Sequence, residues 1–210
     1  MTGILFDLDG TLLDTLEDLK DAVNYALQAH GYPTRTLEEV RCFVGNGAAH
    51  LITLAVPEGA AYEPVLETYR GYYQAHSQEK TAPYPGILEA LARIREKYPI
   101  AIVSNKPDPA VKVLCKDFFG DIYALGETPD CPRKPAPDML YKAMKALDID
   151  RFVYVGDSDV DVITARAAGA KCVSVLWGFR DEDEIRAAGG EYFCRDTAQL
   201  PAVIDRVAQL

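Results

Sequence analysis

Four short, mostly apolar runs, Gly3–Phe6, Ile100–Val103, Phe152–Val155 and Lys171–Leu176, interrupt a chain whose remaining pattern is helix and loop. Bounded by polar or turn residues, such runs have the length and composition of buried strands. Helical periodicity fills the gaps between them. Leu88, Leu91 and Ile94 share one face of Ile87–Tyr98, and Asp108-Pro109 has the form of a cap followed by proline at the first helical position. Lys134-Pro135-Ala136-Pro137 leads into a helix ending near Leu147, a further helix runs through Ala168, and two helical pieces close the chain. Ile122–Leu125 is a weaker strand. Strands alternating with helices imply an α/β fold with a doubly wound parallel sheet.

The long interval between the first two strong strands contains none of its own. Leu16, Leu19, Val23, Ala26 and Leu27 recur at helical spacing after Thr15 and Asp18, and Gly31 stops the run. A short helix is expected over Leu37–Cys42, then the glycine-flanked loop Phe43-Val44-Gly45-Asn46-Gly47, a helix from Ala48 to about Ala55, and a tyrosine-rich helix over Tyr62–His76. The expected organisation is therefore an α/β core of residues 1–14 and 81–210, with a smaller helical domain of residues 15–80 inserted after the first strand.

The formal net charge of -10 argues against a nucleic-acid backbone as partner, since that binding rests on lysine and arginine. No apolar stretch approaches the roughly 20 residues that span a bilayer, and no basic segment precedes an apolar run at the start. The 5 cysteines have no metal-ligand spacing and 3 scattered histidines supply no hydrolase triad. A cytoplasmic protein, monomer or homodimer, acting on a small molecule is the expectation.

The strand ends carry the chemistry. Asp7 and Asp9 follow the first strand, Ser104 and Asn105 the second, and Gly156-Asp157-Ser158-x-x-Asp161 the third. Two buried acids spaced i, i+2 cost several kcal/mol, roughly, unless something compensates them. Sites on such sheets form beyond the carboxyl ends of the strands where strand order reverses. Lys134 would lie on the same face if the crossovers are right-handed. Four carboxylates, a hydroxyl and an ammonium without His or Cys suit Mg²⁺. Taken singly, these residues have plainer readings: Ser158 and Asp161 have capping-box spacing, Lys134 could be solvated, and Asp14 and Thr15 could be helix-entry residues.

Together, Asp7-x-Asp9-Gly10-Thr11-Leu12-x-Asp14-Thr15, Ser104, Lys134-Pro135 and Gly156-Asp157-Ser158-x-x-Asp161 resemble the four motifs of the haloacid dehalogenase-like superfamily. The helical insertion resembles the cap of its phosphatase branch. The stretches Val44–Ala48 and Tyr84-Pro85-Gly86 are similar to those of phosphoglycolate phosphatases. The resemblance implies a Rossmann-like core and a phosphoric monoester hydrolase acting on a small phosphorylated metabolite. It implies Asp7 as nucleophile forming an aspartyl-phosphate, and Asp9 as acid and base, its proton retained by a cluster of like charges. Ser104 and Lys134 would serve catalysis and phosphate binding. Mg²⁺ would be held by Asp7, the backbone carbonyl of Asp9, Asp157 and Asp161. Thr11, by resemblance to the Asp-Gly-Thr phosphatases, favours hydrolysis. Thr11, Asn105, Gly45 and Asn46 join the expected substrate-binding set, and Arg41 could meet a substrate carboxylate or simply be a surface arginine. Pyrophosphatase, nucleotidase and sugar-phosphate phosphatase activities share the motifs. A phospho-accepting signalling module is the reading from another class, though such modules lack the insertion.

Overall fold

The computed structural model describes all 210 residues. The chain forms β1 (Thr2–Phe6), β2 (Leu13–Asp14), α1 (Leu16–Ala29), α2 (Leu37–Phe43), α3 (Gly47–Ala55), α4 (Glu63–His76), β3 (Ala82–Pro83), α5 (Ile87–Arg95), β4 (Ile100–Pro107) and α6 (Asp108–Phe119). It continues through β5 (Tyr123–Glu127), α7 (Asp138–Ala146), β6 (Arg151–Gly156), α8 (Asp159–Ala167), β7 (Lys171–Val175), α9 (Glu182–Ala187), β8 (Tyr192–Cys194) and, after a 3₁₀ turn, α10 (Leu200–Ala208).

Six strands pair in the order β5-β4-β1-β6-β7-β8, every pair parallel. Both faces are covered, as parallel sheets require. The period-two alternation of the strands sorts the core. Ile4, Phe6, Ile102, Val153 and Val155 face α5, α6 and α10, while Leu5, Ala101, Val103, Phe152 and Tyr154 face α7 and α8. Chain order leaves β1 leftwards through β4 to β5, then returns across it to β6. The reversal therefore lies at β1, where a site is expected.

α1–α4 bury a core of their own, from Leu16 and Val23 to Val65 and Tyr69, and the core loop contributes Phe179 to it. The two connections to the sheet run side by side as an antiparallel pair, Leu13 opposite Pro83 and Asp14 opposite Ala82. Asp18 fastens this crossing from inside the insertion. Its buried carboxylate accepts the backbone N–H of Lys80 at 3.0 Å and of Thr81 at 2.8 Å.

Two local expectations are corrected. α6 starts at Asp108 with Pro107 as its N-cap, and the Asp108 carboxylate accepts the Gly126 N–H at 2.9 Å, which ties α6 to β5. Thr15 does not cap α1 with its side chain, because its hydroxyl is drawn to Asp9.

Candidate active site

Three adjacent strands, β4, β1 and β6, deliver the polar groups. Asp7 follows β1 directly and is anchored by its N–H on the Val155 carbonyl at 2.8 Å. Asp157 lies in the β6–α8 connection and Asp161 in the first turn of α8. Asp161 closes the capping box: its Oδ2 accepts the Ser158 N–H at 3.1 Å and hydroxyl at 2.7 Å. Two glycines make room for these acids. A Cβ at Gly156 would stand 2.3 Å from Asp161 Cγ, and one at Gly10, whose φ is +80°, would stand 2.3 Å from Asp157 Oδ2.

Asp7, Asp157 and Asp161 are buried, and each brings a carboxylate oxygen within 4.8 Å of the others. Lys134 is their counter-ion. Its Nζ donates to Asp161 Oδ1 and to the Tyr154 hydroxyl, both at 2.8 Å, and lies 2.9 Å from Asp7 Oδ1. The last contact is ionic but poorly aligned, so Asp7 Oδ1 has no hydrogen-bond partner. Asp157 is held by the Thr11 hydroxyl at 2.9 Å and the Phe179 N–H at 2.8 Å.

Burial pushes the Asp7 carboxyl well above the usual carboxylate range; Lys134 opposes the rise, and Asp161 and Asp157 add to it. Burial, then the charge of Asp161, pushes Asp157 up to about 7. Burial alone would lower Lys134, yet Asp161 and Asp7 raise it above its ordinary value. When ionised, the three carboxylates outnumber the one ammonium by two charges in a low-dielectric pocket. Oxygen-only donors, an orphaned Asp7 oxygen and that surplus of charge fit a divalent cation such as Mg²⁺. Asp7 and Asp157 would hold it directly. Asp161, whose oxygens also carry the Lys134 and Ser158 contacts, would support it directly or through water.

The chain belongs to the haloacid dehalogenase-like hydrolases. The model of that family matches residues 4–175. A phosphoglycolate phosphatase of Rhodobacter capsulatus is 32% identical, with 97% of this chain and 96% of that protein aligned. A structure from Lactobacillus delbrueckii subsp. bulgaricus superposes with a TM-score of 0.91 at 35% identity, over 96% of this chain and 97% of that one. CbbY from Rhodobacter sphaeroides, in complex with phosphate, superposes at 0.80 with 26% identity, over 97% and 98% of the two chains.

In this hydrolase a cavity of about 560 Å³ lies between the strand ends and the helical insertion. Asp7, Asp9, Ser104, Asn105 and Asp157 line its floor; Gly45, Leu51, Tyr69 and Tyr73 line its roof. Asp9 Oδ1 accepts the Thr15 hydroxyl and the Lys106 ammonium, each at 2.7 Å. The like-charge surroundings expected for Asp9 are therefore replaced by an ion pair, because β4 carries Lys106 to the same strand-end level.

Other expected residues sit differently from the sequence reading. Thr11 is buried behind Asp157 and does not line the cavity; its hydroxyl orients that carboxylate. The Asn105 side chain is spent on backbone, donating to Gly45 O at 3.1 Å and Lys134 O at 3.0 Å while accepting the Lys134 N–H at 2.9 Å. It is a tie between floor, lysine loop and roof, which leaves Ser104 and Lys106 as the polar side chains of that strand end facing the cavity. Asn46 occupies the N-cap of α3 and does not line the cavity. Arg41 is turned outward onto Glu38 at 3.2 Å and Asp181 at 3.4 Å, since the helical face that carries it is solvated.

Sequence reasoning passed over four side chains. Lys106 shares the strand parity of Ser104, a signal that could have found it. Tyr154 sits on β6 one residue from the expected apolar pattern's end, but its hydroxyl bridges Lys134 and the Val103 carbonyl. Tyr73 comes from α4. Arg180, from the loop after β7, donates to the Arg41 carbonyl at 2.9 Å and the Val44 carbonyl at 2.6 Å, and nothing local in sequence marks it.

Proposed function

We propose that this hydrolase is a Mg²⁺-dependent phosphoric monoester hydrolase acting through an aspartyl-phosphate, with phosphoglycolate as its substrate. The observation that carries the chemistry is Asp7: a buried carboxylate with an orphaned oxygen, beside a lysine, at the floor of a cavity that also receives Asp9. The substrate assignment is supported by the relatives, several of them named phosphoglycolate phosphatase at 31–35% identity across most of their length. Residues 15–80 are the cap that shapes the leaving-group end.

Asp7 attacks phosphorus and the ester P–O bond breaks. Asp9, ion-paired with Lys106 at rest, takes up a proton as the ester binds and gives it to the departing alkoxide. It then takes a proton from the water that attacks the same phosphorus, and inorganic phosphate leaves with Asp7 restored. Lys134 balances charge on Asp7 and the phosphoryl group, and Ser104 takes a phosphoryl oxygen. Bound Mg²⁺ supplies Lewis-acid neutralisation of the phosphoryl oxygens, so that an anionic nucleophile can approach an anionic ester. The insertion excludes bulk water during the first transfer.

Asp7→Asn keeps the size of the side chain and removes the nucleophile. Turnover is expected to fall at least about 10³-fold with the circular dichroism spectrum unchanged. Near wild-type phosphate release from that variant would remove Asp7 from the role.

A further inference from the structure

Four cations surround the cavity, and three are accounted for. Lys134 is wedged beneath the floor between Asp7, Asp161 and Tyr154. Arg180 is spread over backbone carbonyls of the insertion. Arg70 is exposed on α4, where water weakens any charge recognition. Lys106 differs from all of them. It is only 7% exposed, lines the cavity, and uses one hydrogen bond, to Asp9, although an ammonium has three donors. The Tyr73 ring closes its other side, with Nζ 4.9 Å from the centroid, and the Tyr73 hydroxyl is buried without a partner.

The position of Lys106 defines what it can touch. Asp9 must reach the ester oxygen to protonate it, so a cation paired with Asp9 stands beside the leaving group and away from the transferred phosphoryl. In phosphoglycolate the carboxylate is one methylene from that ester oxygen. We propose that Lys106 is the specificity determinant for a carboxylate on the leaving group, and that it engages this carboxylate by giving up Asp9. The proposal rests on the phosphatase reading of the site and deepens it by naming the recognised charge. Without substrate, the Lys106–Asp9 pair satisfies two buried charges. With substrate, the carboxylate replaces Asp9 at the ammonium, and Asp9 is free to turn to the ester oxygen. An ester lacking the carboxylate leaves the pair intact, with Asp9 held off its task.

The test compares kcat/KM for phosphoglycolate and for 2-hydroxyethyl phosphate, in which a hydroxymethyl group replaces the carboxylate. Lys106→Met keeps the apolar stem and removes the charge. In Lys106→Met, Asp9 is unpaired with either ester, so hydroxyethyl phosphate, whose hydrolysis the pair held back, is expected to lose less than phosphoglycolate or to gain. The wild-type preference for phosphoglycolate is expected to shrink about tenfold or more in Lys106→Met, with the larger share in KM, as for loss of a charged hydrogen bond. Lys106→Arg is expected to restore part of the ratio, and Arg70→Gln to leave it within about twofold. Equal losses on both substrates in Lys106→Met, or a ratio that collapses in Arg70→Gln and not in Lys106→Met, would overturn the role of Lys106. A wild type that prefers phosphoglycolate keeps the substrate assignment even then. A wild type that hydrolyses hydroxyethyl phosphate and ignores phosphoglycolate contradicts both.

Discussion

Asp157 shows what crowding buried acids costs the fold. Its carboxyl stands at about 7 in the folded chain against 3.8 for a free aspartate, from burial and the charge of Asp161. A raised folded value means that, between those two pH values, the folded chain holds a proton the unfolded chain has lost. Stability of the metal-free protein therefore falls as pH rises from about 4 to about 7, and Asp7, shifted in the same direction, adds to the loss. A divalent cation at these acids would reverse the sign, since it would favour their ionised forms and release their protons. Melting curves across this range are expected to show Mg²⁺ raising Tm by more at pH 8 than at pH 5. A stabilisation by Mg²⁺ that is the same at both would place the ion elsewhere. Much of this residue-level chemistry was legible in the sequence because acids that end apolar strands have few structural excuses. Lys134 was legible through the crossover rule and the family resemblance, although alone before a helix it could be solvated; the fold adds its burial against Asp7, Asp161 and Tyr154.

Among the elements, the two crossings between sheet and insertion depend on Asp18. Asp18→Ala would strand the buried N–H of Thr81 and loosen that of Lys80, a cost of about 2–3 kcal/mol. A lowered urea midpoint is the expected readout, and an unchanged midpoint would show that the crossings are held by the β2–β3 pairing alone. Asp18 has the spacing of a helix-start residue, and its sequence neighbourhood hides a partner more than sixty positions away. The same blindness to distant partners explains the elements that were missed. β2 and β3 are two residues each and exist through each other. β8 is three residues of mixed burial that pair with β7, in a stretch expected to hold only helical pieces. The long strands needed no such help, since Ile4–Phe6, Ile100–Val103 and Phe152–Val155 are buried on both faces and read as continuous apolar runs.

Across the whole molecule, closure of the insertion over the sheet is held by a few polar ties. Arg180 reaches the carbonyls of Arg41, Cys42 and Val44, at the C-terminal end of α2 where helix carbonyls lack internal partners and carry partial negative charge. Asn105 grips the next carbonyl, of Gly45. Arg180→Met is expected to speed amide exchange about tenfold over residues 42–48 while leaving β1 and β6 protected. Uniform acceleration would mean a general loss of stability, and no acceleration would show that Arg180 does not hold the closed state. This latch was invisible in the sequence, where Arg41 had the better claim to attention as an arginine beside the glycine-flanked loop. Its backbone carbonyl, not its guanidinium, is what meets Arg180.

The most direct measurement is phosphate release from a panel of phosphomonoesters, with Mg²⁺ and after chelation. The expected result is a kcat/KM highest for phosphoglycolate and lost on chelation, with restoration by Mg²⁺. Comparable slow rates on every ester, or rates indifferent to chelation, would contradict the assignment of this site to phosphoglycolate hydrolysis.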